Sequence, residues 1–399
     1  ANQLACGSVL VQPFGDLLKG RRTTEKRMKE GFVRPGQQSN VAFYALFILG
    51  GALYVYFLCD HKYYMEYGKH GILETNFIVA FPAGIIGARL FYVIGNFNVP
   101  VGQGGFGGVF DYHVFAIWEG GLTILGGAIM GIVVGVLYYL WKNRKYNIWL
   151  GVDIIVPTIL IAQAIGRWGN FFNCEVHGLP SDENLWLWLP RIVWQNMHWS
   201  TASGYPEQLT DGTIYVPLFF IESIINLIGF GVLGHLFGIK LRKHCELGDV
   251  AFGYIIWYGL TRVILEPLRD PSYNMGEDGY WSWVWSMVFM IVGALLIAGN
   301  HIVRYYIRKK QNKETFRSTT HASSLKVTIA LGVVAAAFLG LGVALMINGT
   351  FTGKIAYNEF NLGLVSLIGG ITVLIFALVA LFTFINSKNI HQELGEANA

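Results

Sequence analysis

Nine stretches of about twenty apolar residues follow one another along this chain, and that succession leaves few folds open to it. They fall at roughly 40–59, 71–97, 122–141, 150–172, 216–238, 249–266, 281–303, 325–347 and 362–385. A helix of that length crosses the hydrocarbon of a bilayer, so the expectation is an all-α polytopic membrane protein. Composition agrees: 14% of the 399 residues are charged and 53% are hydrophobic, whereas a soluble globular chain carries about a quarter charged residues. Residues 1–38 are polar and basic with no apolar run, so no cleavable signal peptide is expected. Cys6, Cys59, Cys174 and Cys245 lie far apart without metal-ligand spacing, and no metal or cofactor is expected. The net charge of +4 hints at anionic lipid on the cytoplasmic face. Nucleic acid is not an expected partner.

Lysine and arginine set the orientation. The connections at 142–149, 239–248 and 304–324 hold Lys142, Arg144, Lys145, Lys240, Arg242, Lys243 and the run from Arg304 to Arg317. The alternate connections hold only Arg191, Arg269 and Lys354. The basic set is therefore expected in the cytoplasm, with the N-terminus outside. The basic residues between Lys19 and Arg34 oppose this and are outvoted. Between the fourth and fifth spans, 173–215 is rich in tryptophan: Trp186, Trp188, Trp194 and Trp199. Two forms suit it: an arm along the outer leaflet or a small subdomain with an aromatic core.

The fourth span closes on Gly166-Arg167-Trp168-Gly169-Asn170-Phe171-Phe172-Asn173-Cys174-Glu175-Val176-His177-Gly178. Ionisable groups at membrane depth are costly and by default mark a site. Under the expected topology Tyr44, Arg89, Thr123, Arg167, Asn170, Asn173, Glu175, Arg262 and Glu266 all fall in the outer half of their spans, with Arg269 just beyond. One outward-facing polar cavity accounts for that segregation, whereas scattered structural ion pairs do not. In the sixth span Arg262, Glu266 and Arg269 share a face while the helix lasts, and Pro267 predicts its end or a kink. Arginine is permanently charged and its planar fork fits phosphate oxygens. In a bilayer the obvious phosphate is a phospholipid head group. Glycines at 120, 121, 126, 127, 166 and 169 permit close approach of helices or ligand. The residues alone thus point to a protein that binds or converts phospholipid from the outer leaflet.

The 166–178 pattern resembles the signature of the bacterial prolipoprotein diacylglyceryl transferases, and five further elements are similar, in family order. Phe43-Tyr44-Ala45 and Gly87-Ala88-Arg89-Leu90-Phe91-Tyr92 come first, followed by Trp118 to Gly127 with Gly120 and Gly121. Pro217 to Ser223 is similar to Pro-x-x-Leu-Tyr-Glu-Ser, and Tyr258-Gly259-x-x-Arg262-x-x-x-Glu266-x-x-Arg269 to the late motif. The resemblance covers about 40–303. It implies a seven-span core, here 39–303, with an external N-terminus; the composition read above makes 173–215 an external interfacial arm of that core, 1–38 a polar basic segment and 304–324 a basic cytoplasmic linker. A two-span extension at 325–386 and a polar tail, 387–399, lie outside the family core.

The activity so implied moves diacylglyceryl from phosphatidylglycerol to the lipobox cysteine of a preprolipoprotein, releasing glycerol phosphate at the bacterial cytoplasmic membrane. The expected partners are phosphatidylglycerol, the signal peptides of preprolipoproteins and the bilayer itself. Carried over residue by residue, Arg167, Arg262, Glu175 and Glu266 are the catalytic set. Tyr44, Arg89, Gly120, Gly121, Asn170, Asn173, Tyr258 and Arg269 are the substrate-binding set. Leu125 stands where many members have histidine, so that base does not carry over, and Ile221 replaces the tyrosine before Glu222. His177 is read as a surface residue and Cys174 as apolar packing. An inactive relative or an outer-leaflet lipid carrier are the alternatives. The charge toward one face and the lack of an internal repeat disfavour the carrier.

Overall fold

The computed structural model describes residues 43–98, 106–110, 112–115, 123–173, 176–190, 193–194, 197–200, 207–209, 212–270, 280–310, 324–352 and 355–397. Among these, helices occupy every one of the expected windows: α1 (Phe43–Tyr67), α2 (Glu74–Asn96), α3 (Ile124–Lys142), α4 (Ile148–Asn173), α5 (Leu218–Phe230), α6 (Asp249–Leu265), α7 (Tyr280–Lys310), α8 (Leu325–Asn348) and α9 (Glu359–Ala397). α5 runs on in π-helical geometry through Gly231–Lys240. Six are long and apolar enough to cross a membrane: α2, α4, α5 with its continuation, α7, α8 and α9. The chain is thus an all-α multi-pass membrane protein. It divides into two compact units, Ala52–Ile155 and the second holding Val156–Ala399 with the start of α1.

In the first unit α2 and α3 meet through glycine. A Cβ on Gly87 would lie 2.6 Å from the Gly126 carbonyl oxygen, and one on Gly127 would lie 3.2 Å from that of Gly84. Between apolar helices in lipid there is no hydrophobic drive to associate, so close backbone packing of this kind does the holding. Buried Cys59, Tyr63, Ile72, Leu73, Tyr139 and Ile154 cluster at one end of the unit, where the Tyr63 and Tyr139 hydroxyls bond at 3.1 Å.

In the second unit α6 packs on α7 where Gly259 faces the backbone of Ser286 and Gly293 that of Phe252. α8 and α9 form a hairpin closed at Gly342, Gly363 and Gly370, and α9 also lies against α7. The segment between α4 and α5 carries two small antiparallel pairs, β1 (Pro180–Asp182) with β4 (Thr213–Tyr215) and β2 (Trp199–Ser200) with β3 (Glu207–Gln208). Its Leu189, Val193, Met197, Ile214 and Tyr215 form one core with Phe171 of α4 and Phe219 of α5. Trp186 and Trp194 pack against that core, while Leu185, Leu187 and Trp188 remain exposed.

Candidate functional site

The polar residues of α4, α5 and α6 meet inside the second unit. Glu222, one turn into α5, is the centre of the cluster. Its Oε1 accepts from Arg269 Nη2 at 3.0 Å, and its Oε2 pairs with Arg167 Nε. Arg167 also reaches Asn170 Oδ1 at 3.4 Å. On α6, Arg262 Nη1 donates to Glu266 Oε2 at 3.2 Å, as the four-residue spacing predicts. Ser282 at the start of α7 donates to the other oxygen of Glu266 at 2.8 Å. The Arg262 guanidinium lies 5.7 Å from the Tyr258 ring centroid, and its Nε points to that hydroxyl at 3.4 Å. All three guanidiniums act electrostatically on Glu222.

Exposure divides the arginines. Arg269 is 7% exposed at its side chain, against 23% for Arg167 and 21% for Arg262. Glu222 and Glu266 are buried, at 6% and 1%. Among the described residues of this cluster, three guanidiniums face two carboxylates, leaving one net positive charge in a low-dielectric setting.

Local backbone chemistry fixes these positions. Pro267 has no N–H, so α6 stops at Leu265 and continues as one 3₁₀ turn, Glu266–Leu268. The Val263 carbonyl thereby loses its helical donor, and Trp283 Nε1 takes its place at 3.0 Å. The residues after α4 then thread between α5 and the end of α6. Gly178 N donates to Val216 O at 3.0 Å, and Leu179 N to Leu268 O at 2.9 Å. A Cβ on Gly178 would stand 2.7 Å from the Leu268 oxygen, which explains why the motif ends in glycine. Val176 just before it holds a φ of 56°, a left-handed conformation that a β-branched residue adopts only when its surroundings impose it.

The structure revises the reading of His177. It is 3% exposed, with its ring 3.8 Å from that of Tyr215 and Nδ1 3.0 Å from the Gly178 carbonyl. The strand that covers it lies far along the chain, which local sequence could not reveal. Burial pulls its pKa below the ordinary 6.5, against the bond to Gly178 and the nearby Asp270 charge. The unfolded chain therefore binds this proton more readily. Stability present above about pH 6.5 should fall as the pH drops through that value and below it. Melting of the detergent-solubilised protein between pH 7.5 and 5 should show that decline, and His177→Gln should flatten it. An identical slope in the variant would remove the assignment.

Of the remaining expected residues, Arg89 lies in the first unit. Its Nε donates to Val114 O at 3.0 Å, and the guanidinium lies 5.5 and 5.6 Å from the Tyr92 and Phe106 rings. Asn170 is buried beside Arg167. Tyr44 and Asn173 are placed by their helix backbones alone, and so is Leu125. Gly120, Gly121, Cys174 and Glu175 lie outside the described residues. Two features escaped the sequence reading. Glu222 is a carboxylate inside an apolar helix, which was itself the signal. One turn before Arg167 on α4 and two turns before Arg262 on α6, Gln163 Nε2 donates to Tyr254 OH at 2.9 Å, extending the polar face along both helices.

Comparison with known proteins places this arrangement. The family model described as prolipoprotein diacylglyceryl transferase matches residues 34–299. A protein of Streptococcus pneumoniae (strain Taiwan19F-14) named phosphatidylglycerol–prolipoprotein diacylglyceryl transferase is 34% identical over 276 residues, covering 68% of this chain and 95% of the relative. A protein of the same name from Clostridium novyi (strain NT) is 33% identical over 280 residues, covering 69% and 95%.

Proposed function

The chain belongs to the prolipoprotein diacylglyceryl transferase family, and on that premise we propose that it transfers diacylglyceryl from phosphatidylglycerol to the lipobox cysteine of preprolipoproteins. The observation that carries this reading is the pair Arg167 and Arg262, partly exposed and held in one buried charge cluster by Glu222 and Glu266. The single net positive charge of that cluster suits a phosphodiester, which carries one negative charge. In the proposed step the cysteine sulfur bonds to the glyceryl carbon that bears the phosphate. The carbon–oxygen bond breaks, and glycerol phosphate departs with the electron pair. Arg167 and Arg262 hold the phosphate and stabilise the charge that grows on the leaving group. Asn170, Asn173, Tyr258 and Tyr44 orient the head group and glyceryl, and the family resemblance alone assigns Arg89, Gly120 and Gly121 to substrate binding. Arg269, the most buried of the three arginines, acts on substrate through Glu222.

The thiol, with an ordinary pKa of about 8.5, must lose its proton. Glu266 is bonded to Arg262 and Ser282 and serves as an orienter. Glu175 is then the proposed acceptor, in place of the histidine that Leu125 replaces. Basic connections in the cytoplasm put the N-terminus outside and open the site to the outer leaflet of the cytoplasmic membrane. Exposed Leu185, Leu187 and Trp188 suit the interface there.

The test is mass analysis of a lipobox peptide after incubation with the full chain in phosphatidylglycerol vesicles. A mass increase of one diacylglyceryl group with release of glycerol phosphate supports the proposal. An unchanged peptide favours an inactive relative or a carrier. Within the same assay Glu175→Gln should lose activity that no pH restores, and Leu125→His should leave the rate unchanged or modestly raised. If only Leu125→His were active, the natural chain would be an inactive relative.

A further inference from the structure

The hairpin α8–α9 lies beyond the part of the chain that the family model matches, yet it grips the two helix ends that fix Glu266. Tyr357, in the connection between α8 and α9, donates its hydroxyl to the Ile264 carbonyl at 2.5 Å. That carbonyl lies between Arg262 and Glu266, where Pro267 has already broken the helical bonding of α6. Beside it Ile355, Leu364, Val365 and Ile368 pack against Val263 of α6 and against Trp283, Met287 and Met290 of α7. Phe351 adds a ring contact to Tyr280, the first residue of α7, at 6.0 Å. The chain Arg262–Glu266–Ser282 joins these two helix ends. Its geometry depends on how the last turn of α6 sits against the first turn of α7.

We propose that the α8–α9 hairpin is an internal brace for this site, with Tyr357 a positioning residue that sets the end of α6 and through it the Glu266–Arg262 pair. The proposal rests on the transferase reading only for its kinetic consequence. Connections of this kind need a reason at an otherwise lipid-facing helix. A backbone carbonyl freed at a helix end inside a membrane is costly without a donor, and a phenol placed on it both satisfies and locates it. The apolar contacts alone would hold the hairpin in place, whereas the hydroxyl acts on one specific carbonyl.

The experiment compares the full chain with Tyr357→Phe, Ser282→Ala and the double variant in phosphatidylglycerol vesicles. Transfer kinetics and backbone hydrogen exchange across 260–270 are both followed. Tyr357→Phe should lower kcat about fivefold, the equivalent of one ordinary hydrogen bond, at an unchanged KM for lipid. Exchange at the end of α6 should rise by a similar factor, with the melting temperature lowered by only about 1–3 °C. In the Ser282→Ala background the same change should have little further effect, because both act on Glu266. Unchanged exchange and kinetics in Tyr357→Phe would overturn the brace. So would losses that multiply in the double variant together with a melting temperature lowered by about 5 °C or more, since that is general destabilisation. If the natural chain transfers nothing, the transferase reading fails, and the exchange measurement still decides the brace.

Discussion

Arg262→Ala should reduce diacylglyceryl transfer about a hundredfold or more, the scale seen when one donor to a developing anion is removed, and Arg167→Ala should do the same. Both side chains keep part of their surface open while Glu266 and Glu222 fix their orientation. Removal subtracts a charge-assisted bond to phosphate in a site with little water to replace it. In Arg262→Ala, Glu266 retains Ser282 as a partner, so the helix end should survive and the loss should appear in turnover. Lysine at either position should recover little, because an ammonium is a point charge without the planar fork. The measurement is peptide modification at matched protein levels in membranes. Activity within severalfold of the natural chain in both alanine variants would dismantle the phosphate clamp.

Glu222→Ala should be the most damaging change to the fold. The carboxylate separates and neutralises Arg167, from α4, and Arg269, from the turn after α6. Removing one partner of a buried ion pair costs about 3–5 kcal/mol, since the remaining charge stays uncompensated. Here two guanidiniums would be left facing one another. A markedly lower melting temperature in detergent and loss of transfer are expected together. Glu222→Gln should be less severe, because the amide oxygen can still accept from one arginine. If Glu222→Ala melts with the natural protein and retains transfer, the hub role is wrong.

How much of this was legible in the sequence depends on the range of each interaction. The helices were readable because apolar length is a local property, and the stop at Pro267 because proline carries its own consequence. The Arg262–Glu266 pair followed from a spacing of four. Glu222 was passed over although a carboxylate in an apolar run is conspicuous. Its partners sit on other helices, and which faces meet depends on rotation and order that a single sequence does not specify. The same holds for Gln163 with Tyr254. His177 was misread for the opposite reason: a strand close to α5 covers it, and no period extends past the end of α4. The hairpin α8–α9 carries no charge at the site and acts through one hydroxyl and a set of aliphatic contacts, which composition cannot distinguish from lipid-facing packing.

The Arg167–Glu222 pair has a consequence for how the chain is made. Translation proceeds at about 5–20 residues per second, so Arg167 is added to the chain roughly 3–11 seconds before Glu222. An arginine costs about 2.5–3.5 kcal/mol at the centre of an isolated helix and less near its end, where Arg167 lies. During that interval α4 carries its charge without a counterion, and the wet side of the insertion machinery is the cheapest place for it. The Arg167–Glu222 pair therefore favours release of α4 into lipid together with α5, as one unit of assembly.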